Sequence, residues 1–108
     1  SELGSAESSL TAAITLAEFD PVTGAIWVGG FIAGVSEDGG TCRFTATGDD
    51  TGMTTVLESN GAFNMDMTSC GSHEMQAPES SSDQYSLILE YVGLDGARAV
   101  TYAEVSSS

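Results

Sequence analysis

The chain has 108 residues, of which sixteen are acidic and only two, Arg43 and Arg98, are basic; lysine is absent and the formal net charge is −14. That length supports one domain with one modest core. Almost nothing is available to neutralise phosphates, which excludes nucleic acid as a partner, and the same charge opposes binding to an anionic membrane surface.

Ser1 to Ser9 is rich in Ser, Glu, Gly and Ala and reads as a flexible tether. Residues 10–105 read as the folded domain and Ser106 to Ser108 as a polar tail, the pattern expected of a domain cut from a longer chain. No apolar run reaches transmembrane length, so direct membrane insertion is not expected.

Almost every segment of the domain alternates with period two, the pattern of half-buried strands. Leu10, Ala12, Ile14 and Leu16 share one face of a first strand, which Asp20-Pro21-Val22-Thr23-Gly24 ends as a turn. A second strand runs from about Ala25 to Val35, with a bulge or close backbone approach expected at Gly29-Gly30. The acidic turn Glu37-Asp38-Gly39-Gly40 leads into a third strand, Thr41 to Thr47, with Cys42, Phe44 and Ala46 inward. Met53 to Ser59 is the fourth. Ala62 to Cys70 reads as a continuous fifth strand, with Phe63, Met65 and Met67 inward and Thr68 outward. Gly71 to Asp83 reads as a long irregular loop. Gln84 to Val92 is the sixth strand, with Tyr85, Leu87, Leu89 and Tyr91 on one face, and Arg98 to Val105 is the seventh.

About seven strands at turn spacings near ten residues predict an all-β, immunoglobulin-like antiparallel β-sandwich. Tyr85, at the start of the sixth strand, is placed as a corner tyrosine would be. Cys42 and Cys70 both fall on apparent β-segments of a small domain, which predicts one structural disulfide and an oxidising compartment. Their strands are not those of the antibody disulfide.

Three segments carry a resemblance: Gly30 to Thr45 with its Glu-Asp-Gly-Gly-Thr-Cys, Thr68 to Gly71 with Thr-Ser-Cys-Gly, and Tyr85 to Tyr91. Together they resemble small secreted or lipid-anchored domains of actinobacterial cell-surface proteins, which have no assigned activity. The resemblance implies an extracytoplasmic, disulfide-bonded β-domain and carries over no catalytic residue.

Catalysis requires a nucleophile, a base and an orienting group that converge. The only histidine, His73, lies in the Gly71 to Asp83 stretch without a Gly-x-Ser-x-Gly elbow, so a small hydrolase built on it is the remote alternative. Cys42, Cys70, His73 and Glu74 form a conceivable zinc set, but structural zinc sites show two close ligand pairs and a disulfide fits better. Glu37, Asp38, Asp49 and Asp50 offer oxygen ligands suited to calcium, without the ordered Asp-x-Asp-x-Asp-Gly register. No cofactor is called for. Trp27 is the candidate for a binding surface, by stacking on sugar or marking an interface, although strand tryptophans normally pack in the core. The four methionines read as core filler.

These readings point to a non-enzymatic extracellular spacer or interaction module, with a protein or glycan partner. The alternative from a different class is a subunit of an extracellular filament, in which the first strand completes the sheet of another copy.

Overall fold

A computed structural model describes residues 10–50, 52–78 and 84–106. The expected tether, residues 1–9, and the last two serines lie outside them, as does the corner before Tyr85. The strands are β1 Thr11–Asp20, β2 Ala25–Ala33, β3 Thr41–Gly48, β4 Thr54–Asn60, β5 Ala62–Asn64, β6 Met67–Gln76, β7 Gln84–Val92 and β8 Arg98–Ser106. They form two four-stranded antiparallel sheets in the orders β1-β2-β6-β5 and β4-β3-β7-β8. This is the immunoglobulin arrangement with one extra strand beside the third.

The core is built from the alternation visible in the sequence. Ile26, Val28 and Ile32 from β2 meet Phe44 and Ala46 from β3 and Tyr85, Leu87, Leu89 and Tyr91 from β7, all with no exposed surface. Tyr85 also stacks on Phe19 of β1, with ring centroids 5.7 Å apart. Cys42 of β3 and Cys70 of β6 are joined across the sandwich, with a Cα–Cα distance of 5.9 Å.

Three local expectations are overturned. The fifth strand is not continuous: after β5 the chain reverses through Met65-Asp66, with Met65 at φ 58°, and β6 starts anew, giving eight strands among the described residues. Phe63, on the edge strand, and Met65, in the turn, are exposed rather than inward, and Thr68 is turned inward and fully buried. The expected irregular loop from Gly71 is instead the continuation of β6 to Gln76. Among the methionines, Met75 is in the core while Met53 and Met65 are exposed.

In β1 the register slips between Ile14 and Leu16, leaving Thr15 as an extra residue. A one-residue insertion exchanges the two faces of a strand. Ala12 and Ile14 face the core before the bulge, Ala17 and Phe19 after it, and Leu16 leaves the inner face where the alternation had placed it.

Gly29-Gly30 sits where both neighbouring strands bulge. Gly30 opposes Ile14 on one side and Gly71 on the other, and Cys70 is the extra residue of β6. A Cβ on Gly30 would collide with the Ala13 carbonyl oxygen and lie 2.8 Å from Leu89 Cδ2. Gly30→Ala is expected to destabilise by about 1–3 kcal/mol through overpacking. An unchanged urea midpoint would show that β1 can move away freely.

Candidate binding surface

Each residue singled out in the sequence has a definite place. Cys42 and Cys70 are consumed by the disulfide. His73 lies on β6, opposite Val28, rather than in a loop. Its Nε2 is 2.7 Å from the Cys70 carbonyl oxygen, so that nitrogen donates, and its ring lies 6.2 Å from Phe44. Ser59 Oγ donates to the same carbonyl at 3.3 Å. The bulge takes Cys70 out of the ladder, and these two side chains satisfy the oxygen it frees.

The acidic turn before β3 forms an internal clamp. The Tyr91 hydroxyl donates to Glu37 Oε2, and the same oxygen accepts from Leu94 N at 3.2 Å. Thr68 Oγ1 accepts from Glu37 N at 3.2 Å and donates to the Val35 carbonyl at 2.9 Å. Asp38 Oδ1 accepts from Phe63 N at 2.6 Å. Gly40 and Gly61 lie against the Tyr91 ring: a Cβ on Gly40 would be 2.7 Å from Cε1, and one on Gly61 would be 3.2 Å from it. Burial first, then the Glu37 hydrogen bond and charge, push the Tyr91 hydroxyl up to about 12.

Asp49 and Asp50 follow the other end of β3, so the two acidic pairs do not converge. Asp49 Oδ1 accepts from Ser86 Oγ at 2.8 Å. Among the described residues no group of three or more His, Cys, Asp or Glu is placed to hold a metal ion.

Trp27 overturns the core expectation. Ile26 and Val28 take the inner face and Trp27 stands on the outside of the β1-β2-β6-β5 sheet, 38% exposed. Glu18 of β1 and Glu74 of β6 oppose it on either side, in one row across three strands. Leu16, Phe31 and Met67, all half-buried, extend the apolar surface along the same face. An indole face binds the C–H face of a sugar or a cation, and flanking carboxylates accept from hydroxyl or ammonium groups. The surface is a platform: grooves of about 340, 160 and 60 Å³ among the described residues are lined elsewhere, by neither Trp27 nor His73.

The sequence did not single out Tyr102, which is 71% exposed on the opposite sheet. Its signal was the outward phase of β8, in which Arg98, Val100, Tyr102 and Glu104 alternate with Ala99, Thr101, Ala103 and Val105.

The two sheets with their cross-sheet disulfide define an immunoglobulin-like β-sandwich. No protein-family model matches the chain, and no curated protein matches it. Among the described residues no helix is long and apolar enough to cross a membrane.

Proposed function

We propose that this domain is a non-catalytic module of an extracellular or cell-surface protein, serving as a spacer that presents its Trp27 face to a protein or glycan partner. The observation that carries the reading is the exposed Glu18–Trp27–Glu74 row, an aromatic platform between two acceptors on a flat sheet face. The candidate reactive groups Cys42, Cys70, His73 and Glu37 are engaged within the fold. The cysteines are joined, His73 is turned onto its own backbone, and Glu37 holds Tyr91 and Leu94. The disulfide favours an oxidising compartment, in keeping with the resemblance to actinobacterial surface domains. Strand β1 pairs along its length with β2 of its own chain, which favours a self-contained unit over a filament subunit awaiting a donated strand.

Trp27 is the only tryptophan, so its emission reports on this face directly. Titration with soluble neutral oligosaccharides, and separately with lysine-containing peptides, is expected to give a saturable emission change with one class. Calorimetry with Trp27→Ala should then show binding lost and the melting temperature kept. Binding that survives Trp27→Ala, no binding of either class, or turnover of the added ligand would each overturn the reading.

A further inference from the structure

We propose that the outer face of the β4-β3-β7-β8 sheet is a docking surface for a second copy of this chain, in a two-fold arrangement that sets Arg98 of one copy over Glu104 of the other. This surface lies on the opposite sheet from Trp27 and stands or falls independently of the partner reading.

The face carries exposed apolar side chains among charged ones. One row across the sheet runs Val56, Thr45, Ile88, Tyr102, and the next runs Glu58, Arg43, Glu90, Val100. Val56 is 54% exposed, Val100 50% and Tyr102 71%. Such a cluster of outward apolar side chains on one face marks an interaction site. Both of the chain's cations are here. Arg43 bonds Glu58 at 2.8 Å and reaches Glu90 at 4.0 Å, whereas Arg98 makes no ion pair among the described residues.

Charge selects the occupant. Copies of a domain with net charge −14 repel one another over most of their surface. The approach opposed least brings together the faces that carry both arginines. This face is also complementary to itself. Arg98, Val100, Tyr102 and Glu104 succeed one another along the outer side of β8. A two-fold axis crossing the strand between Val100 and Tyr102 reverses that order in the second copy. Arg98 then meets Glu104 and Val100 meets Tyr102, each pair occurring twice, as an isologous interface requires. A groove of about 340 Å³ lined by Glu90, Tyr91, Arg98, Ala99, Val100 and Tyr102 gives the opposing Tyr102 ring room to enter. Four strands by four outward rows cover roughly 500 Å² per copy from sheet spacings. That area is at the low end for a specific interface, so the dimer is weak and depends on concentration.

Sedimentation equilibrium on the full chain tests this. The native protein is expected to dimerise reversibly, and Tyr102→Ser to weaken dimerisation. Arg98→Glu and Glu104→Arg should each weaken it by about tenfold or more, and the double exchange Arg98→Glu/Glu104→Arg should restore it. Glu104→Arg is the decisive variant, because it reduces the net negative charge. Were general repulsion in control, it would strengthen association. A monomer at every concentration, a tighter dimer in Glu104→Arg, or a double exchange no better than the single ones would each overturn the proposal. All three positions are on the surface, and melting curves confirm that the variants fold.

Discussion

Replacing Cys42 and Cys70 together by alanine is expected to lower stability by about 3–4 kcal/mol, the entropy returned to the unfolded chain when a loop of this length is opened. The two cysteines are 28 residues apart in sequence, and both are buried in the core. A small domain has only about 5–15 kcal/mol in all, so the urea midpoint should fall by a large fraction. The same shift should follow reduction of the native protein, and unreduced denatured protein should show no free thiol. Equal midpoints for oxidised and reduced protein would mean that the β3–β6 contact holds equally well without the bond. Two reactive thiols would remove the bond altogether.

Tyr91→Ala should cost about 3–5 kcal/mol, the usual loss on truncating a fully buried aromatic side chain. Tyr91→Phe separates the hydroxyl from the ring. It keeps the packing between Gly40 and Gly61 but takes the phenolic donor from Glu37, for a loss of roughly 1–3 kcal/mol. The clamp also fixes a pH window. The Tyr91 hydroxyl rises from 10.0 unfolded to about 12 folded, chiefly because burial penalises the phenolate. Its contribution is therefore complete below about pH 10 and is lost as pH rises through about 12. Denaturant midpoints across that alkaline window should fall more steeply in the native protein than in Tyr91→Phe. Identical slopes would mean that Tyr91 ionises in the folded state as it does in the unfolded chain.

These two devices anchor opposite sides of the same segment. The disulfide ties β3 to β6, and the clamp ties the β2–β3 connection to β7 through Tyr91 and to β6 through Thr68. Ser36 Oγ adds a bond to the Met65 carbonyl at 2.7 Å, and Phe63 N bonds Asp38. The turn after β5 is thus held by residues far away in the chain.

The sequence by itself determined what depends on neighbours two residues apart. In Gln84 to Val92 the alternation of Tyr85, Leu87, Leu89 and Tyr91 is strict, and all four are fully buried. Cys42, Phe44 and Ala46 were equally legible, and with Cys70 they implied a sandwich with one disulfide. Tertiary structure decided whatever depended on register. The Thr15 bulge reverses the faces of β1, and no residue type announces it, because the slip is set by pairing with Gly29-Gly30. The turn at Met65-Asp66 lacks the glycine or asparagine that usually marks a positive φ, so two strands read as one. Removing that false continuity turns Thr68 inward and puts Met65 in an exposed turn, while the edge position of β5 leaves Phe63 exposed. For the candidate surface, alternation placed Trp27 opposite Ile26 and Val28, but only the register across β1, β2 and β6 put Glu18 and Glu74 beside it. Glu37 reads as a turn acid suited at most to calcium until the fold brings it to Tyr91, 54 residues away, and makes it an internal bond.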